Sequence, residues 1–474
     1  TTVLNAFLQP RVTRYLERLG RAVAAEAPRA RIGINQSSGG LMSIDRAAAM
    51  PVRTALSGPA AGVVGAAHIA RLAGERDVIT LDLGGTSTDV CLIRDGGAAM
   101  THQRDVAGFP IRMPAIDIHT VGAGGGSVAW FAADGLLKVG PRSAGAVPGP
   151  ACYGRGGTEA TVSDANLVLG RLPEVLVGGR MTLDRPAAEA ALAPVAERLG
   201  GTVVEAARGV IDIAVSNMVR AIRAVSVERG HDPRDCALMA FGGAGALHAV
   251  DVARALRMPR VRIPPAPGIL CAHGLIVADL AETFVTTRRT LLSEDLSVLV
   301  PVLEGLRAKA DRWFEEEGVA EGERALSLAL DMRYVGQNYE LAVEVPPPGA
   351  GTPALPDAET LADRFFEAHA REYGHHDPEA PVEIMTLRLT STGRLSPPDA
   401  PRAEAEHLDP ERTAPVWFGD EAVETPIRPR EGLAPGETLE GPAILTQMDA
   451  TTVVPPGTRL TVDGTGALIL EVDA

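Results

Sequence analysis

The chain has 474 residues, too many for one ordinary domain, and that length predicts about three. Apolar residues make up 46% and charged residues 22%, which excludes general disorder and collagen-like structure. Acidic residues outnumber basic ones 60 to 45, for a net charge of −15, so nucleic acid as a bulk partner and docking to an anionic membrane surface are both excluded. Lys138 and Lys309 are the only lysines among the basic residues, a composition bias without functional content. Cys91, Cys152, Cys236 and Cys271 are scattered with no CxxC pair. That speaks against a structural zinc or a disulfide framework and fits a reducing, cytoplasmic setting. No run approaches the roughly 18 apolar residues of a membrane span, and no signal peptide opens the chain. The start, Thr1-Thr2-Val3-Leu4-Asn5, has no Met and runs straight into an apolar periodic segment, so the chain is expected to begin mid-protein.

Residues 3 to 19 carry Val3, Leu4, Phe7, Leu8, Val12, Tyr15, Leu16 and Leu19 at helical spacing, with Pro10 as a kink and Gly20 as the stop. A short strand is expected at 31–34, then a loop of small residues through Gly40. A Gly/Ala-rich helix that packs closely is expected over 58–73. Val78 to Leu83 reads as a buried strand, followed by a glycine turn and a second strand from Thr88 to Ile93. Residues 95–200 are dense in Gly and Pro and predict loops, short strands and one or two helices around an active site. The longest helix is expected at 203–229, ended by Gly230. A strand at 237–241, a Gly-rich turn, a helix over about 246–256 and a strand near Val261 follow. Beyond about 285 the pattern changes: helices at 295–317 and 359–373, alternating strands over 325–345, linkers or turns at Pro346-Pro347-Pro348 and Pro397-Pro398, and only short β runs from 412. No internal repeat at a fixed period is present.

The sharpest local signal is Leu81-Asp82-Leu83-Gly84-Gly85-Thr86-Ser87-Thr88-Asp89-Val90. A buried strand delivers Asp82, and two glycines turn the chain and let backbone N–H groups approach an anion. Thr86, Ser87 and Thr88 add donors. A carboxylate at Asp82 can hold Mg²⁺ or orient a water. Alone, this could equally be a tight hairpin with an Asx turn. A second element lies 160 residues on: Phe241-Gly242-Gly243-Ala244-Gly245-Ala246-Leu247-His248, a glycine-rich turn between a strand and a helix. Such a turn admits phosphates or flat groups at the helix N-terminus, although glycines there also serve close packing. The spacing of the two elements is that of an actin-like, sugar-kinase-like nucleotide fold.

With those two elements in place, the chain resembles the hydantoinase A / 5-oxoprolinase family, which includes the β-type subunits of acetone carboxylases. The stretches that carry the resemblance are Ser57 to Ala66, LDLGGTSTDV at 81–90, Asp117 to Ser127, Gly140 to Gly145, Pro148 to Gly154, Ser163 to Leu167, FGGAGALH at 241–248, Arg333 to Gln337 and Gly441-Pro442-Ala443. The resemblance implies an α/β fold: an actin-like ATPase (ribonuclease H-like) core, a mixed α/β middle segment and a β-rich C-terminal domain. The expected boundaries are a helical segment 1–30, a nucleotide-binding domain 31–285, a mixed segment 286–400 and a C-terminal domain 401–474. It implies ATP with Mg²⁺, hydrolysis of a cyclic amide such as a hydantoin or 5-oxoproline through phosphorylation of the amide oxygen, and a B-type partner subunit. Ketone carboxylation, a nucleotide-binding subunit without turnover, and simple kinase activity on a small metabolite are the rivals. In this reading Asp82 positions Mg²⁺ or the reacting oxygen. Gly84, Gly85, Thr86, Ser87 and Thr88 hold phosphates, and Gly242, Gly243 and Gly245 receive the adenosine. Family members carry another DxGGTxTD-type hairpin in a preceding N-terminal region, of which this sequence has no copy. The chain alone is therefore expected to bind ATP poorly.

Other residues carry weaker signals. Asp117 and His119, on an expected strand, would share one face and could bind a second divalent metal, relay a proton, or simply order the following GAGGGS loop. His248 could join them as a metal ligand or be structural. Asp164 reads equally as a helix cap or a ligand. Arg142, among glycines, could grip a phosphate or form a surface salt bridge. Cys152 is expected to be a buried structural thiol, and His375-His376 a helix C-cap.

Overall fold

Thr88–Arg94 turns back on Val78–Leu83 as an antiparallel hairpin, with Asp82 directly opposite Asp89, and this hairpin lies inside the largest sheet among the described residues. The structure is a computed structural model and describes residues 1–106, 108–345, 355–396 and 411–473. The chain divides into two compact units, Thr1–Ala55 with Val277–Pro398, and Leu56–Ile276 with Asp399–Ala474. The sequential partition read from the sequence, at 30, 285 and 400, runs differently, because both units are built from discontinuous segments. The triple-proline run and Pro397-Pro398 lie outside the described residues.

In the second unit, nine strands among the described residues form the core sheet. Eight run in the order Thr438–Glu440, Thr458–Val462, Leu468–Val472, Arg260–Ile263, Ala237–Phe241, Val78–Leu83, Thr88–Arg94 and Gly97–Ala98. The ninth, His119–Val121, pairs with Thr88–Arg94. The three central strands are parallel, with Phe241 beside Asp82. Strand alternation sorts their side chains onto two faces. Ile79, Leu81, Leu83, Leu238 and Ala240 join a core with the helices Val203–Val225 and Gly245–Leu256. Val78, Met239 and Phe241 join another core with the helix Ser57–Leu72. A parallel centre covered on both faces needs near-continuous apolar strands, and Ala237–Phe241 is buried throughout. A four-stranded sheet, Arg412–Trp417, Ala422–Pro429, Ala443–Thr446 and Thr451–Val454, also belongs to this unit. Mixed α/β architecture, as expected from the sequence, is what the chain adopts.

The Gly/Ala composition of Ser57–Leu72 has a specific consequence. A Cβ on Gly62 would sit 2.8 Å from the Cys271 sulfur, and one on Gly274 would lie 1.9 Å from the Ala61 carbonyl oxygen. The helices Ser57–Leu72 and Leu270–Val277 therefore pack backbone to backbone, which brings Cys271 to the hairpin.

The first unit holds a six-stranded sheet in the order Gly33–Asn35, Leu41–Ser43, Leu280–Leu291, Val382–Gly393, Arg324–Tyr334 and Leu341–Val345. The helices Val300–Glu316 and Ala358–Tyr373 pack on it through Leu306, Ala310, Leu361 and Phe365. Three helix ends differ from the sequence reading. The first helix runs from Thr2 to Glu26 through Gly20, because an interior glycine costs only about 1 kcal/mol and good helix formers follow it. The helix expected from 295 begins at Val300, after a 3₁₀ turn capped by Asp295. The helix expected to reach 229 ends at Val225, and a 3₁₀ turn follows.

Candidate functional site

Asp82 lies at the carboxyl end of a central strand, where open α/β sheets place their ligands. Gly242 follows the adjacent parallel strand with φ of 78°, a left-handed value that suits glycine. A Cβ there would fall 2.5 Å from Asp82 Oδ1 and 2.5 Å from the Leu83 carbonyl oxygen. The chain can pass beside the carboxylate only as glycine. Gly242 N–H donates to the Pro267 carbonyl (2.9 Å) and Ala244 N–H to the Leu83 carbonyl (3.1 Å), fixing the turn to the hairpin. Gly245 then opens the helix that carries His248.

The hairpin tip is held from the other side by the glycine loop. Gly125 N–H donates to the Gly84 carbonyl (3.0 Å) and Gly126 N–H to the Gly85 carbonyl (2.7 Å). A Cβ on Gly124 would lie 2.7 Å from both Gly85 C and Thr86 N. Two carbonyls of the tip are thereby bonded to the loop, and Gly85 and Thr86 stay exposed. Thr88 is fully buried, and its hydroxyl donates to the Ala123 carbonyl, so this side chain ties the loop rather than facing a ligand. Ser87 Oγ donates to Asp89 Oδ2 at 3.5 Å, and Thr120 donates to the other oxygen of Asp89.

The electrostatics of Asp82 are unusual. Burial pushes its pKa up to about 6, the opposing Asp89 adds to the rise, and a hydrogen bond from the Cys271 thiol (3.3 Å) works against it. Burial, with Asp82 next to it, pushes Cys271 up to about 12, so it stays a thiol donor. Asp89 is also raised by burial, partly offset by Thr120, Ser87 and the charge of Arg104. Two carboxylates on one face of a hairpin repel each other until a cation or proton neutralises them. Mg²⁺ is bound by one or two carboxylates together with waters and phosphates rather than by an all-protein cage. The Asp82/Asp89 pair fits that donor set.

The Asp117/His119 pair is arranged differently from the sequence reading. Ile118 N–H donates to the Ile116 carbonyl (3.0 Å), a three-residue turn that breaks strand alternation between the two residues. Asp117 forms an ion pair with Arg229, and His119 is exposed on the strand beside Val90. His248 is fully buried. Burial lowers its pKa to about 4, and Asn166 Nδ2 lies 3.2 Å from its Nε2. No group of three or more His, Cys, Asp or Glu side chains able to hold a metal ion occurs among the described residues. Asp164 is the N3 residue of a capping box with Thr161 and also accepts from Cys152 N–H (2.7 Å). Arg142 pairs with Glu159 at the surface. Cys152 is buried, and burial raises its pKa. His375 Nδ1 lies 3.1 Å from the Tyr373 carbonyl at the end of its helix.

Sequence reasoning missed Cys271 and Asp449. Asp449 Oδ2 accepts from Gly268 N–H (2.8 Å), and its backbone oxygen lies 3.9 Å from where a Gly243 Cβ would be, so a loop of the four-stranded sheet borders the glycine turn.

Residues 1–284 match the sequence profile of the hydantoinase/oxoprolinase family, and residues 290–471 match the hydantoinase/oxoprolinase C-terminal domain. The chain belongs to the hydantoinase/oxoprolinase family. This hydantoinase/oxoprolinase protein is 35% identical to caprolactamase subunit alpha of Pseudomonas jessenii, over 98% of this chain and 68% of that one. The crystal structure of the ATP-dependent caprolactamase from Pseudomonas jessenii superposes with a TM-score of 0.84 at 34% identity, over 100% of this chain and 70% of that one. A nucleotide-free structure of acetone carboxylase superposes with a TM-score of 0.77 at 26% identity, over 96% and 66%. The family resemblance read from the motifs is thus borne out. ATP-dependent cyclic-amide hydrolases among the relatives support an enzyme of that general kind. No helix among the described residues is long and apolar enough to cross a membrane.

Proposed function

We propose that this chain is the A-type, nucleotide-binding subunit of an enzyme that opens a cyclic amide at the expense of ATP, working with a B-type partner. The observation that carries the reading is Asp82: a half-buried, proton-prone carboxylate at the strand end, with Gly242 bare beside it and Asp89 opposite. Mg²⁺ bound there would neutralise the two carboxylates and the phosphates together. The tip, with Gly85 and Thr86 exposed between Gly84 and Ser87, offers backbone and hydroxyl donors to phosphate oxygens. The turn Gly242-Gly243-Ala244-Gly245 lies on the other side of Asp82 and offers the helix N-terminus and bare backbone to the rest of the nucleotide. The core is read as actin-like on this basis. Phosphorylation of the amide oxygen would turn a poor electrophile into an imidate phosphate that water can open. Asp117 and His119 flank the loop that holds the hairpin, and in this reading they serve the substrate side.

The test is ADP release by the full-length protein with its partner, on lactams, 5-oxoproline, hydantoins and ketones. Ring-opened product with phosphate release is expected. Absence of substrate-stimulated ADP release on every compound would sink the reading. The likeness to acetone carboxylase supports a second reading with the same phosphate chemistry, and a carboxylated ketone as product would select it.

A further inference from the structure

A cavity of about 760 Å³ opens between the strand pair Ser127–Phe131 and Leu137–Ser143 and the exposed face of the helix Val203–Val225. Trp130 and Lys138 stand directly opposite each other in that pair, so both side chains rise from one face of it. Ser216, Arg220 and Arg223 line the cavity from the helix, at the spacing of one helical face. Asn217 Nδ2 donates to the Val139 carbonyl (3.0 Å), and Arg220 Nη2 donates to Asn217 Oδ1. Helix and strands are thereby fastened together, with one guanidinium fixed at the seam. The Trp130 indole N–H donates to the Gly140 carbonyl (2.8 Å), which holds the ring in place while it stays 37% exposed.

The charge of this cavity is one-sided. Lys138, Arg220 and Arg223 line it, and no Asp or Glu does. None of the three forms an ion pair among the described residues, in a chain with 60 acidic against 45 basic residues. A cleft lined by one sign of charge concentrates ligands of the other. Its volume falls in the range of small-molecule sites, roughly 300–1,000 Å³. Ala255 lines it near the far end of the helix Gly245–Leu256, about 15 Å along the axis from Gly245, so the glycine turn lies elsewhere. Gly122, ahead of the loop that holds the hairpin, forms part of the wall.

We propose that this cavity binds an organic anion built on a flat ring that carries two or more negative charges. The indole face takes the ring by offset stacking. The planar forks of Arg220 and Arg223 take a carboxylate or phosphate group. Lys138 adds a third positive charge and Ser216 a hydroxyl donor. Cations alone would serve inorganic phosphate, and an indole alone a neutral arene. The pairing of Trp130 with Lys138 on one face joins the two requirements. The site is independent of the reading of the hairpin as a nucleotide site.

The experiment is calorimetric titration of the full-length protein, with excess ADP present so that the glycine turn does not compete for the probes. Phenyl phosphate and phthalate are the probes. Inorganic phosphate supplies the charge without the ring, and phenol the ring without the charge. At least one probe should bind about tenfold tighter than either control. The tighter probe tells whether the ligand is a phosphate ester or a carboxylate. Trp130→Ala should weaken that probe about fivefold and leave inorganic phosphate unchanged. Arg223→Gln should weaken the probe and inorganic phosphate alike, about tenfold. Arg223 is exposed and holds no ion pair among the described residues, so this variant keeps the test decisive should Trp130→Ala fail to fold. The site is overturned by any of three results: no saturable binding of either probe, probes bound no tighter than inorganic phosphate, or wild-type affinity in folded Trp130→Ala or Arg223→Gln.

Discussion

The acids of the six-stranded sheet and the acid at the hairpin are held in opposite ways. In the six-stranded sheet, Glu383 is 1% exposed and lies between Arg289 (2.5 Å) and Arg333 (2.8 Å). Burial would raise its pKa, yet the two arginines outweigh that and hold it below the ordinary carboxylate range. Asp331 has Arg388 at 2.7 Å, and Glu282 has Arg53 at 2.8 Å. In the core sheet, Asp82 faces another carboxylate and a thiol, and its pKa rises to about 6. The acids of the six-stranded sheet come with their cations. Acids left in want of one are where a ligand is expected.

Asp82→Asn should sharpen this contrast most. ATP turnover by the complete enzyme should fall at least about 1,000-fold, while the variant gains stability at neutral pH. The folded pKa is raised, so the folded state holds its proton more tightly and Asp82 destabilises the protein once ionised. The gain should therefore be full above pH 6, about 3 kcal/mol, shrink as pH falls, and vanish below the ordinary carboxylate value. Thermal melts at several pH values check this, and a destabilised variant at pH 7.5 would break the comparison. Glu383→Gln should do the reverse, costing about 3 kcal/mol in urea unfolding because two arginines lose their anion. A neutral effect would mean that the pairing is ornamental.

The next effect separates neighbouring glycines. Gly242→Ala forces a Cβ into Asp82 and Leu83 at a positive φ and should cost about 2 kcal/mol together with nucleotide affinity. Gly243→Ala meets nothing closer than 3.9 Å and should stay within about 0.5 kcal/mol of wild type. Equal losses in calorimetric stability and ATP titration would show that the turn is not read through Asp82. The smallest effect is Cys271→Ala. Its thiol bond lowers the Asp82 pKa, so the acid limb of the pH–rate profile should move to higher pH by less than about one unit. A shift to lower pH would contradict the hydrogen bond.

The hairpin and the glycine turn were legible because each is contiguous, and because glycine and hydroxyl spacing has few uses. What closes the site was not. Cys271 reaches Asp82 across 189 positions, through a helix contact that depends on Gly62 and Gly274. Asp117 and His119 were placed on one strand face by alternation, and a single hydrogen bond at Ile118 undoes that. The partner of His248, Asn166, lies in a distant helix, and nothing in a lone histidine signals full burial. The units were illegible for the same reason: the pairing of Arg260–Ile263 with Leu468–Val472 spans about half the chain.

That pairing bears on synthesis. The central strand Arg260–Ile263 of the core sheet emerges from the ribosome some 200 residues before its antiparallel neighbour Leu468–Val472. At roughly 5–20 residues per second, it waits about 10 to 40 s with its outer backbone groups unpaired. During that wait four of the six strands of the other sheet, from Leu280–Leu291 to Val382–Gly393, are being made. A nascent chain in this state carries an open template for strand addition, so chaperone demand should fall late in translation rather than early.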